Sequence, residues 1–181
     1  MPALVRFLLL LVLLVVVRFC SPYRFILVSG DSMAPTLRSG QLCLVDQRAV
    51  NTNQPQRGDV VLADLGGELC VKRILGLPGD SFWLLAPRHF GDFTPLLLGP
   101  EPTPTDREMA ARPICGLKLV RCVVPPECVY LVGDNRSLSY DSRELGPVPN
   151  QALLGRVMAY RPPGRRTPEC LPGVVASASS G

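Results

Sequence analysis

The clearest pattern along the chain is an unbroken apolar run over residues 7–17, preceded by Arg6 and closed by Arg18. Shorter apolar stretches follow: Phe25-Ile26-Leu27-Val28, Gln41-Leu42-Cys43-Leu44-Val45, Gly58-Asp59-Val60-Val61-Leu62 and residues 69–75. These are rich in β-formers. The first stops at Ser29-Gly30-Asp31 and the last at Pro78-Gly79-Asp80, so they read as strands. Phe82-Trp83-Leu84 reads as a further short strand, followed later by residues 117–120, 128–132 and 153–160. Residues 86–112 hold many prolines and little periodicity, and read as an extended loop or insertion. Strong helical character is confined to the N-terminal run. The expected architecture is mainly β: a membrane anchor over 1–21, a β domain over 22–162 with its Pro-rich insertion at 86–112, and a disordered tail over 163–181.

The apolar run admits two readings. It is shorter than the roughly 20 residues a helix needs to cross the hydrocarbon core. A cleaved signal peptide would have its basic start and apolar middle here, but no small-x-small site follows, because the next residues are Arg18-Phe19-Cys20-Ser21-Pro22-Tyr23. As an anchor the run extends from Ala3 towards Phe19, with Arg6 and Arg18 reaching the two interfaces and Phe19 and Tyr23 where interfacial aromatics collect. The anchor reading predicts one N-terminal transmembrane helix and the lipid bilayer as a partner.

Composition narrows the rest. A hydrophobic fraction of 47% is ample for a core, and 19 prolines with 16 glycines favour short strands and turns over helices. The net charge of +4 comes from scattered basic residues, with no run of five or more like charges, which argues against a dedicated nucleic-acid surface. Seven cysteines include no C-x-x-C pair, and the single histidine, His89, cannot complete a typical zinc site, so no metal or other cofactor is expected. An odd count rules out full internal pairing. Buried free thiols are the plain reading, and a bridge among Cys115, Cys122 and Cys128 stays open.

The chemistry rests on three segments. Ser32 lies in Ser29-Gly30-Asp31-Ser32-Met33-Ala34-Pro35, at the turn after the first strand. A serine hydroxyl is a weak nucleophile and needs a base within reach. With one histidine in an unpatterned stretch, a lysine is the better base, and Lys72 in Val71-Lys72-Arg73-Ile74 is the candidate. An ordinary lysine is almost wholly protonated at neutral pH, so a lysine base calls for desolvation. On a strand, Cys70, Lys72 and Ile74 share one face, while Arg73 points away. The third segment runs from Gly133-Asp134-Asn135-Arg136 to Ser139-Tyr140-Asp141-Ser142-Arg143. If residues 139–143 are extended, Ser139, Asp141 and Arg143 project together. Ser139 can then bond the base amine while Asp141 and Arg143 pair and brace the loop.

Taken in order, Ser32-Met33-Ala34-Pro35-Thr36-Leu37, Gly58-Asp59-Val60-Val61, residues 71–80 and Gly133-Asp134-Asn135-Arg136 through Arg143 resemble the type I signal peptidases, membrane-anchored Ser/Lys endopeptidases of bacterial leader-peptidase type. The resemblance implies a signal-peptidase-like β-fold, with Ser32 as nucleophile, Lys72 as general base, Ser139 orienting the amine, and Asp141 and Arg143 supporting the site. It implies an oxyanion hole built in part from the Ser32 N–H. Some members carry a hydroxyl two residues before the nucleophile, where this chain has Gly30; Ser29 or a backbone group would have to serve instead. The implied substrates are preproteins with small residues before the cut, paired to residues 26–28, with Ile26, Val28 and Met33 at shallow apolar pockets. The expected location is a single-pass protein of the bacterial plasma membrane with its catalytic domain on the trans side; thylakoid and mitochondrial inner membranes also fit. Alternatives are a client-specific maturation or organellar inner-membrane peptidase of the same family, and an inert membrane-anchored peptide-binding relative. Self-cleaving repressors share Gly-Asp-Ser-Met, but carry a DNA-binding domain where this chain has its apolar run.

Overall fold

Alternating and doubly buried apolar strands build the core. The structure, a computed structural model, describes residues 3–52, 54–88, 94–112, 116–160 and 169–170. The apolar run forms α1 (Ala3–Cys20). The strands are β1 (Tyr23–Leu27), β2 (Leu42–Asp46), β3 (Val60–Asp64), β4 (Leu69–Gly76), β5 (Ser81–Pro87), β6 (Leu96–Leu97), β7 (Leu117–Val123), β8 (Cys128–Val132), β9 (Val148–Pro149), β10 (Leu153–Tyr160) and β11 (Glu169–Cys170). Short helices α2 (Ala49–Thr52), α3 (Pro104–Ala111) and α4 (Ser142–Leu145) interrupt them.

Eight strands form one sheet in the order β1-β2-β10-β3-β4-β8-β9, with β11 also paired to β10, and β6-β5-β7 form a second sheet. All the pairings are antiparallel. The middle of the large sheet is covered on both faces. Val60 and Leu62 join Val28, Met33, Leu37, Cys43, Val45 and Val157 in one cluster. Val61 and Ala63 join Ile74, Val129, Leu131 and Leu153 in another. That is why β3 reads as a continuous apolar run rather than an alternating one. The edge strand β1 instead buries little: Phe25 and Leu27 are about 70% exposed.

One expectation needs correction. The 86–112 region is not one loose insertion: β5 continues to Pro87, β6 adds two residues, and α3 occupies 104–111. Thr103 accepts the Asp106 N–H, Asp106 accepts the Thr103 N–H, and Pro104 opens the helix, so a capping box starts α3 inside a Pro-rich stretch. α1 covers the stretch expected to be helical, from Ala3 to Cys20. Its 18 residues extend about 27 Å at 1.5 Å each, and among the described residues no helix is long and apolar enough to cross a membrane. His89, Cys115 and the tail expected to be disordered, apart from the paired Glu169 and Cys170, lie outside the described residues.

Candidate active site

The loop after β1 carries Ser32, and two apolar plugs seat it. Met33 and Leu37 are fully buried, Leu37 N–H donates to the Met33 carbonyl, and Val28 and Gly40 close the loop neck through Gln41 and Val28 carbonyls. Ser32 itself is half-buried. Its carbonyl accepts the Asn135 N–H at 2.9 Å, which ties it to the turn after β8. Among the described residues the Ser32 N–H has no protein acceptor, so it is free to donate to a substrate oxygen.

β4 presents the candidate base. Lys72 is 3% exposed and makes no ion pair among the described residues. Its Nζ donates to Ser139 Oγ at 2.9 Å. Ser139 Oγ in turn donates to Asp141 Oδ2 at 2.7 Å. No hydrogen bond joins Lys72 to Ser32 among the described residues, yet both line one groove of about 600 Å³. Ile26, Val28 and Met33, the expected substrate wall, line it too, and so do Cys70, Leu138 and Tyr140.

Asp141 organises the far side. It is fully buried and receives Gly133 N–H at 2.9 Å, Arg143 N–H at 3.1 Å, and the Arg143 guanidinium on both carboxylate oxygens. Burial alone would raise its carboxyl; the bonds from Arg143, Gly133 and Ser139 outweigh it and hold the group below the usual carboxylate range. An ionised carboxylate only accepts, so it receives the Ser139 O–H hydrogen bond and leaves Ser139 to accept from Lys72. The lone pair of a neutral Lys72 amine is therefore not consumed by Ser139.

Ser139, Asp141 and Arg143 converge as expected, but by another route. The chain is not extended through Arg143. Asp141 caps α4, Glu144 Oε2 returns the Asp141 N–H, and the first helical turn swings the Arg143 side chain back onto the carboxylate. Arg143 also donates to the Ser139 carbonyl at 2.9 Å.

Other motif residues hold the frame. Arg73, on the opposite face of β4 from Lys72, pairs with both oxygens of Asp134 at 2.7 and 2.8 Å and donates to the Gly58 carbonyl. Burial opposes ionisation of Asp134, and the bonds from Arg73 and Thr36 hold its carboxyl below the ordinary range nonetheless. Asp80 accepts the Leu77 N–H at 2.5 Å and pairs with Arg57 at 2.6 Å, closing the turn after β4. Gly133, Leu138 and Tyr140 are site residues that the sequence reading did not single out. Gly133 signals itself by the space it leaves: a β-carbon there would lie 2.6 Å from the Ser32 carbonyl oxygen and overlap Ser139. Among the described residues no cluster of candidate metal ligands occurs.

Comparison with known proteins then gives one consistent family. Residues 1–160 match the family model described as "Signal peptidase, peptidase S26". A signal peptidase I of Bacillus caldolyticus is 32% identical over 155 residues, covering 72% of this chain and 74% of that one. A Staphylococcus aureus (strain MRSA252) protein named inactive signal peptidase IA is 24% identical over 166 residues, covering 90% and 94%. A signal peptidase I structure from Enterococcus faecalis V583 superposes with a TM-score of 0.35 at 23% identity, over 57% of this chain and 97% of that one.

Proposed function

The chain belongs to the signal peptidase, peptidase S26, family, and from that premise we propose a serine endopeptidase that removes N-terminal signal peptides with Ser32 as nucleophile and Lys72 as base. One observation carries the reading: Ser32 and a buried Lys72 wall the same groove, and the lysine donates to Ser139, which Asp141 holds in turn.

The groove suits an extended peptide. β1 is an edge strand, and β4 pairs with β8 only from Arg73 onwards, so residues 69–72 also present an unpaired edge among the described residues. A substrate strand lying between these edges gains main-chain hydrogen bonds, while Ile26, Val28 and Met33 meet its small side chains. Lys72 takes the Ser32 proton as Oγ attacks the scissile carbonyl, and the Ser32 N–H donates to the developing oxyanion. The C–N bond breaks, the lysine passes that proton to the leaving amine, and the mature protein departs. Water, deprotonated by the same amine, then hydrolyses the acyl ester and frees the signal peptide. These steps balance with the protein's own groups and water.

We also assign membrane attachment to α1. Every described side chain over residues 5–13 is exposed, and all but Arg6 are apolar, so this stretch of the helix has no protein surface covering it among the described residues. Attachment at that end would hold the groove near the bilayer that also confines the substrate's apolar segment, raising its effective concentration. The bacterial plasma membrane, with the domain on its trans side, is the location that suits this reading.

The name of the S. aureus relative gives weight to an inert peptide-binding protein as a second reading. The two readings separate on cleavage of a preprotein in detergent by wild type, Ser32→Ala and Lys72→Ala, with product masses recorded. Cleavage after a small-x-small sequence that both substitutions abolish supports the peptidase. Activity surviving Ser32→Ala defeats the mechanism, and a wild type that binds but never cleaves favours the inert protein.

A further inference from the structure

A second cavity, of about 520 Å³, opens where the small sheet meets residues 140–144. Leu84 and Ala86 of β5 and Val120 of β7 give it an apolar floor, and Arg88 and Lys118 bring positive charge to its wall. Tyr140 lines both this cavity and the groove that holds Ser32 and Lys72, so the two spaces meet at one side chain. Tyr140 is 60% exposed and follows Ser139 directly, beside the candidate base.

We propose that this cavity is the leaving-group side of the active site: it receives the first residues of the mature chain beyond the cut and favours an acidic side chain there. The inference rests on the peptidase reading. The signal-peptide side of the substrate is accounted for by the β1 and β4 edges. The remainder of the substrate passes Lys72 and Tyr140, and the space beyond Tyr140 is this one.

Two further features fit an entering peptide. Glu144 lines the cavity, its Oε2 accepts the Asp141 N–H, and its Oε1 is buried with no hydrogen-bond partner. A buried acceptor left unsatisfied is stabilised by an incoming donor, which a substrate backbone N–H supplies. Lys118 and Arg88 make no ion pair among the described residues, and against them the cavity lining holds the single carboxylate of Glu144. The balance of charge facing a substrate side chain is therefore positive. On β7, Lys118 and Val120 share the cavity face, and the alternation of the strand sends Arg121 to the other.

The test uses full-length protein in detergent and peptide substrates that share one signal-side sequence. Glu or Lys is placed in turn at each of the first few positions after the cut, and kcat/KM is measured. Wild type is expected to favour Glu over Lys about two- to fivefold at one position, as for a solvent-accessible charge pair. Lys118→Glu reverses that preference and Lys118→Ala removes it. Arg121→Glu makes the same charge change on the opposite face of β7 and keeps the wild-type preference. Cleavage with the same preference in wild type and Lys118→Glu overturns the cavity assignment and leaves the peptidase standing. A wild type that cleaves none of the peptides overturns both.

Discussion

Gly133 and Ser139 are packed so tightly that a β-carbon on the glycine would overlap the serine hydroxyl. The same β-carbon would sit 2.6 Å from the Ser32 carbonyl oxygen, so one hydrogen atom's worth of space lets the Ser32 loop and the lysine's partner pack together. Gly133→Ala must push one of them away. The expected cost is about 1–3 kcal/mol of stability, read as a Tm lowered by several degrees, together with at least a tenfold loss in kcat. A variant with wild-type Tm and kcat would show that the site tolerates displacement that this packing forbids.

Ser139 hydrogen-bonds Lys72 and Asp141, and among the described residues no hydrogen bond joins it to Ser32, so under the proposed mechanism it is a positioning residue. Ser139→Ala removes the acceptor that fixes the amine, and kcat should fall by about 10²-fold, the scale of a misplaced proton acceptor, while KM changes little. Ser139→Thr keeps the hydroxyl and should recover most of the loss. Equal defects in Ala and Thr variants would point to a packing role instead.

Acid should loosen the fold through two carboxylates. Asp141 and Asp134 both titrate below the ordinary carboxylate range when folded. Their stabilisation is thus fully present above the unfolded value and is lost as pH falls through the folded one. Urea midpoints should hold steady near neutrality and decline from about pH 5 downwards. Asp141→Asn should flatten that decline while lowering stability by about 3–5 kcal/mol at neutral pH, because it strands the buried Arg143 guanidinium. A midpoint that rises on acidification would contradict the sign.

Gly30 invites an attempt to restore the hydroxyl that some family members carry at this position. There is room for a side chain, since nothing lies within 4 Å of a β-carbon, but φ is +84°. An L-residue there costs about 1–2 kcal/mol. Gly30→Ser should lose stability by that amount without raising kcat, and a tenfold gain in kcat would show that the hydroxyl reaches the oxyanion despite the strain.

The strands were legible because they obey simple rules. The stretches at residues 128–132 and 153–160 carry no glycine or proline at odds with a strand apart from Gly155, and β8 and β10 occupy them. The convergence of Ser139, Asp141 and Arg143 was legible too, but not its geometry. Asp141 followed three residues later by Glu144 is a helix-start signature, and reading it would have turned the chain at Ser142. The same holds for Thr103 and Asp106, whose signal was hidden among prolines that elsewhere break helices. The second cavity had no sequence signature, since Lys118, Tyr140 and Glu144 are joined only by the packing of the small sheet against a loop.

β4 places a lysine and an arginine side by side on opposite faces, and only one of them can give up a proton under ordinary conditions. A slip of one residue in its pairing would exchange them, putting an unyielding cation into the groove and the lysine against Asp134. The fork of Arg73 fits the two oxygens of Asp134 and the Gly58 carbonyl together, a match that an ammonium cannot reproduce. The ion pair behind the sheet thus works as a key for strand alignment: it proofreads, on one face, which side chain is delivered to the groove on the other.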